Sequence, residues 1–507
     1  MPTMAVKSPA LVQVSISRSM EQRRIIPAHC SSLARRSREL EIFRRQITAE
    51  ARGAELAFGI MERMSPLAIA VSAPMYSRLQ QLHVVLNRVL VDIVNRWFSD
   101  EAARFTERMP LDPSEEELLR WVADSGCVPA YAEHAGFWRS DLLFGRSLDG
   151  LDDQHPYLCE INGRLPLNAV IGIGQIASGV NKVGAAKGGL ETANSIEVTA
   201  VAILPESPQH IMDLFEPDKP VFSIRDKWPG ADSKILSACN TSLGRPPIVA
   251  VRPQDLELRP DGSSSTGYSL WDRSTNVELT QWFVEMLQDE YAALEPAVAR
   301  QLSLTPLNDL RTVFIVHDKR LLGIIPEELP GMVERGVLTA EEAEIVSSGI
   351  VETINPGSEA IQKLLRDSAT DPAVRNGYIY KPCRDGMGNG IELGKNLSQQ
   401  DWLARLSELA NPDVLRPHQH AAVIQKLVNH HWYDIVRHEV PDVTGPGPEK
   451  FHLIGSMFML QSRHFYSGIW RVGLETHLGI SSDKPGLVMA MVHQPDWPIS
   501  SDQEEEL

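Results

Sequence analysis

Apolar residues recur at three- and four-residue spacing across residues 74–122: Leu79, Leu82, Val85, Leu86, Val89 and Leu90, then Val94 and Trp97. One face of an α-helix has that period, so helix dominates this stretch. Ser114 followed by Glu117 reads as a capping box opening a further helix. From Phe137 the period shortens. FWRSDLLF, a loop rich in Gly and Asp, and YLCEING read as strand, turn, strand. Residues 217–267 read as α/β structure with strands at 221–224 and 248–252 and a polar turn, DGSSSTG. The pattern predicts a helix over 276–291 and a β-branched strand at Thr312–Val316. Helices follow at 339–346, 360–366 and 402–410, and strands at 422–428 (AVIQKLV) and 452–460 (HLIGSMFML). Strands and helices interleave without an internal repeat, which predicts an α/β (mixed α+β) fold.

The 507 residues are 43% apolar and 23% charged, ordinary values for a soluble globular chain with a large core. The first fifty residues are rich in Arg and Ser and read as a solvated, partly helical extension; the final SDQEEEL reads as a disordered acidic tail. A formal net charge of −17 argues against a nucleic-acid surface. No apolar stretch reaches transmembrane length, so no membrane partner is expected. Cys30, Cys127, Cys159, Cys239 and Cys383 show no CxxC spacing, which fits a reducing, cytoplasmic setting.

The segment YIYKPCRDGMGNG, residues 378–390, carries the strongest chemical signal. A short aromatic strand ends at Lys381-Pro382, Arg384-Asp385 follows, and glycine then occupies Gly386, Gly388 and Gly390. Alternating glycines let consecutive backbone N–H groups face one concavity, which suits a phosphate chain. Lys381 adds a point charge for phosphate oxygens, and Asp385 can hold Mg²⁺. The lysine precedes the glycines, so this is not a P-loop, and no helix opens at the glycines as a Rossmann turn requires. The alternative is a glycine-rich hairpin turn with a solvated lysine.

Arg139, Asp141, Glu160 and Asn162 form a second cluster. In YLCEING, Glu160 and Asn162 lie two apart on a strand and emerge on one face. Their oxygens are hard ligands suited to Mg²⁺, and Arg164 on the same face could pair with a carboxylate or phosphate. The alternative is a strand end with its polar residues in water. His418, His420 and the pair His430-His431 read as solvated, and Trp271, Trp282 and Cys383 as packing residues.

Together the two segments resemble the ATP-grasp superfamily, in its circularly permuted branch of eukaryotic-type glutathione synthetases. That branch carries RSDYMF…S…DG…EIN before a lid of the form KPQREGGGNN; this chain has RSDLLFGRSLDG, CEINGR and KPCRDGMGNG. The resemblance is diffuse over residues 74–492 and specific only in the two motifs. It implies Glu160, Asn162 and Asp385 as Mg²⁺ ligands. It implies Lys319, Lys381, Arg384, Gly386, Met387, Gly388, Asn389 and Gly390 around ATP, with Gln425, Lys426 and Leu427 as an adenine hinge. Arg139, Arg471, Arg164 and Arg273 would meet the reacting groups or substrate. The implied organisation is an extension (1–60), a helical region with the metal strand (61–215), a substrate lobe (216–305), a lid region (306–415), the rest of the core (416–497) and the tail (498–507).

The implied activity is an ATP- and Mg²⁺-dependent ligase. It would join a small carboxylic acid to an amine through an acyl phosphate, on an amino-acid or peptide-like substrate. A nucleotide-binding homologue without ligase activity and an ATP-grasp kinase remain as alternatives, and a homodimer is plausible by analogy. GRLPLNA after Asn162 and His452 at a usual acidic position depart from the family pattern, so a changed substrate site is expected.

Overall fold

The structure, a computed structural model, describes residues 10–15, 26–50, 63–134, 136–147, 149–164, 176–183, 207–226, 233, 236–237, 240–241, 243–307, 309–384, 386, 388–417, 421–437, 448–473, 487–489 and 491–493. Its largest sheet has seven strands. Val488–Met489, Trp470–Gly473, Glu449–Leu460, Phe137–Gly145 and His155–Asn162 lie side by side. Tyr433–Ile435 and His464–Ser467 also pair with the long strand Glu449–Leu460.

The pleat of FWRSDLLFG sends Trp138, Ser140, Leu142 and Phe144 to one face and Arg139, Asp141 and Leu143 to the other. The first set packs toward helix Ala73–Arg96, where His83 stacks on Trp138 and bonds Ser140 Oγ at 2.5 Å. Arg139 faces Asn162 and Asp141 faces Glu160, but Leu142 faces Leu158, which makes Cys159 an extra residue. This bulge shifts the pleat by one, so Tyr157 and Glu160 share the Asp141 face.

A second, four-stranded antiparallel sheet runs Thr353–Ile354, Ala422–Lys426, Tyr378–Pro382, Glu392–Leu393. Helices Glu359–Thr370 and Gln399–Ala410 cover it through Ile361, Leu364, Trp402 and Leu406. The two sheets meet at one edge. Val351 N–H donates to Leu158 O at 3.0 Å, and Gln425 Nε2 donates to Cys159 O at 3.1 Å. A parallel trio, Trp282–Val284, Phe222–Ile224 and Val249–Val251, and an antiparallel trio between residues 256 and 279 form a further lobe.

The mixed α/β class is as expected, but four local readings change. Thr312–Val316 is a π-helical turn, buried at every position, so its β-branched apolar run serves a helix packed on all sides. Residues 276–291 hold two short strands, Val277–Leu279 and Trp282–Val284, before a helical turn, Gln288–Ala292. Pairing of Trp282–Val284 with Phe222–Ile224 overrides the helical pattern. The capping box is Asp112 with Glu115, not Ser114 with Glu117, because Pro113 takes the first helical position. The extension is also not wholly solvated. Leu11–Ser15 pairs with Ala68–Val71, and Phe43 on helix Leu33–Glu50 is buried. Trp282 and Cys383 are core residues as expected, whereas Trp271 is half-buried beneath Arg259.

Candidate functional site

Asp141 anchors the front of the large sheet. Its carboxylate accepts from Arg139 Nε at 2.9 Å and Nη2 at 3.1 Å, from Arg471 Nη2 at 2.7 Å and from Ser456 Oγ at 2.9 Å. The register explains the cluster, since Asp141 lies opposite Ser456 and Ile454 opposite Arg471, so all of them share one face. Burial alone would raise the Asp141 carboxyl, but Arg139 and Arg471 outweigh it and hold the group well below the usual carboxylate range.

One residue pair along, Glu160 and Asn162 sit on the same face as predicted, both half-buried. Lys319, only 2% exposed, reaches Glu160 Oε1 at 3.3 Å from the turn that follows the π-helix. A carboxylate and an amide in this position fit Mg²⁺, which takes one or two protein oxygens and completes its shell with phosphate and water. No group of three or more His, Cys, Asp or Glu that could hold a metal occurs among the described residues. Asp385, the third expected ligand, lies outside them, as does Met387.

Lys381 comes from the opposing sheet, on Tyr378–Pro382, and is 5% exposed. Its charge acts on the Cys159 thiol and on the His430 ring, so it lies near both. No carboxylate pairs with it among the described residues. Among the described residues, Arg139, Arg471, Lys319 and Lys381 stand against Asp141 and Glu160, four positive side chains to two negative ones. A buried surplus of positive charge favours an anionic ligand. Cys159 is not a nucleophile here, because burial pushes its thiol up to about 11.

The glycine segment forms the tip of the hairpin between Tyr378–Pro382 and Glu392–Leu393. Asn389 N–H donates to Gly386 O at 3.1 Å, and Gly388 and Gly390 take positive φ angles of 79° and 66°. Gly388, Asn389 and Gly390 are exposed. Arg384 at the hairpin's root turns inward. It is bonded to Glu115 at 2.6 Å, Asp318 at 3.0 Å and the Phe314 carbonyl at 3.2 Å, contacts that would anchor the hairpin to the protein body.

In the expected hinge, the Gln425 side chain pins the two sheets together, Lys426 pairs with Glu352 at the surface, and Leu427 N–H donates to Gly377 O. Leu143, Tyr157, Val351 and Ile454, with Val428, form an apolar cluster beside this segment. Arg164 bonds Gln288 at 2.7 Å. Arg273 stays on the antiparallel trio, largely exposed, bonded to Leu256 O and near Glu257, and none of these contacts involves the cleft.

Some site features were not evident from the sequence. Ser456 braces Asp141 from a strand more than 300 positions away. His430, expected in solvent, is half-buried against His452, and burial, His452 and the Lys381 charge push it down to about 3. His418 and His420 lie outside the described residues.

Residues 82–315 match the family described as the AnkG N-terminal domain. A protein of Aspergillus thermomutatus named ATP-grasp enzyme ankG is 32% identical over 451 residues, covering 83% of this chain and 87% of that protein. Among solved structures, a glutathione synthetase-like effector from Globodera pallida in its apo form aligns with a TM-score of 0.50 at 11% identity. The alignment covers 90% of this chain and 97% of that one, a likeness of fold. No described helix is long and apolar enough to cross a membrane. With the glutathione synthetase-like ATP-grasp fold and this extent of identity, the chain belongs to the ankG family of ATP-grasp enzymes.

Proposed function

We propose that the protein is an ATP- and Mg²⁺-dependent ligase that joins a small amino-acid or peptide-like carboxylic acid to an amine, releasing ADP and phosphate. The observation that carries this reading is Lys381. A buried ammonium with no carboxylate partner among the described residues faces a cleft already rich in positive charge, which suits a polyphosphate. Lys319 would grip the same phosphates once Glu160 turns to the metal. Mg²⁺, held by Glu160 and Asn162, would neutralise phosphate charge when bound. The apolar cluster of Leu143, Tyr157 and Ile454 suits an adenine ring.

The acid substrate's carboxylate would attack the γ-phosphate, giving an acyl phosphate and ADP. The amine would then displace phosphate. The protein would supply position and charge in place of covalent catalysis, since no activated nucleophile occurs in the cleft among the described residues. The glycine hairpin would exclude water, which otherwise hydrolyses the acyl phosphate.

The test is an ADP-release screen over amino acids and small acids, with mass detection of the condensed product. Release that requires both an acid and an amine, and that Glu160→Ala abolishes in a protein that still folds, is the expected result. Release that needs no amine would indicate a kinase. Turnover retained in Glu160→Ala would remove the site assignment.

A further inference from the structure

Four side-chain nitrogen and oxygen atoms near Arg164 are buried and have no hydrogen-bond partner among the described residues: Asn162 Nδ2, Gln288 Nε2, Tyr291 Oη and His317 Nε2. Gln288, Tyr291 and His317 are 7%, 4% and 4% exposed. Buried polar atoms are normally paired, so several orphans around one guanidinium call for an explanation.

Their chemistry is all of one kind. Arg164 donates to Gln288 Oε1 at 2.7 Å, which fixes the amide so that its NH₂ is the group left over. Gly163 N–H donates to His317 Nδ1 at 3.2 Å, so that nitrogen is an acceptor and a neutral ring carries its proton on Nε2. Burial, with the Arg164 and Lys319 charges, keeps His317 neutral. The Arg164 charge also acts on the Tyr291 phenol. Gly163 makes the approach possible, since a Cβ there would lie 2.6 Å from the Thr312 carbonyl on the π-helical turn that leads to His317. The strand end, the helical turn Gln288–Ala292 and the π-helical turn thus converge as N–H and O–H donors around a cation.

We propose that Arg164, Gln288, Tyr291 and His317 form a carboxylate pocket for the acid substrate, with neutral His317 donating its Nε2–H. This rests on the ligase reading above. Such a pocket accepts a ligand with acceptors only and rejects an ammonium group, so it serves the acid and not the amine. Lys319 and Lys381 already provide for phosphate, which leaves this donor set for the planar carboxylate.

The test uses the full chain labelled with [¹⁵N]histidine, with and without saturating Mg·AMP-PNP, titrated with sodium acetate, inorganic phosphate or methylammonium chloride. The expected result is one neutral ring protonated on Nε2, identified by its loss in His317→Gln, whose signal moves on acetate addition and not with methylammonium. Tyr291→Phe should weaken acetate binding about tenfold, the loss expected for one neutral hydrogen bond, with melting temperature and AMP-PNP affinity unchanged. An unmoved His317 signal overturns the pocket. So does a Tyr291→Phe variant that melts lower without losing acetate affinity, or a His317 signal that responds to phosphate at lower concentration than to acetate when AMP-PNP is bound. Failure of AMP-PNP to bind overturns the ligase reading, and with it the assignment of this pocket to the acid.

Discussion

On the front of the seven-stranded sheet, Asp141 receives four hydrogen bonds from Arg139, Arg471 and Ser456. Across the cleft, Lys381 is as deeply buried yet meets no carboxylate among the described residues. The first wall pairs each of its charges with an opposite one in the protein and therefore contributes to the stability of the ligand-free fold. The second leaves a charge that no described carboxylate pairs with, which a bound anion would compensate. One cleft thus combines a wall that holds shape with a wall that waits for an anion. The two should respond oppositely to loss of charge.

Lys381→Met offers the sharpest break. It should lower acid-dependent ADP release on the order of 10²–10³-fold, as for removal of one positioned donor to developing charge. Its melting temperature should stay level or rise, because a buried cation with no described carboxylate partner is removed. A large fall in melting temperature would mean that Lys381 stabilises the fold, and the contrast between the walls would disappear.

Asp141→Asn tests the other wall. Neutralising the shared partner leaves two arginines facing each other in a buried setting, at a cost of about 3–5 kcal/mol in a urea titration. The pH dependence has a definite sign. The folded-state pKa of Asp141 lies below its unfolded value, so its contribution is complete above about pH 4 and is lost as pH falls toward the folded value. Wild type should therefore lose this increment on acidification below about pH 4, and Asp141→Asn should not.

Much of the first wall was legible because its chemistry is local. Glu160 and Asn162 are two apart on a strand, and alternation alone puts them on one face, although the bulge at Cys159 that aligns Glu160 with Asp141 cannot be seen in a single strand. The glycine hairpin was legible for the same reason. What stayed hidden depends on distant segments. The orphan donors come from positions near 162, 290 and 317, and only the folded chain gathers them. The run TVFIV misled because β-branching favours strands, whereas a fully buried π-helical turn asks only for apolar bulk. Arg384 sits in the lid motif but points to Glu115 and Asp318, two acids that sequence spacing does not connect to it.

The smallest expected effect bears on whether the hairpin grips nucleotide or merely turns. Gly390 has φ of 66°, and a Cβ there would come 2.8 Å from Pro382 Cγ, so Gly390→Ala should cost about 1–2 kcal/mol of local stability. Gly386 has no such constraint and open space around it, so Gly386→Ala should change the ligand-free fold by less than about 0.5 kcal/mol. If the loop only joins two strands, then only Gly390→Ala should affect activity, in step with its effect on stability. If the backbone amides close over phosphate, a methyl at either position obstructs them, and both variants should raise the KM for ATP several-fold. A rise in KM for Gly386→Ala at unchanged melting temperature therefore identifies the hairpin as part of the nucleotide site, on grounds that its fold alone does not supply.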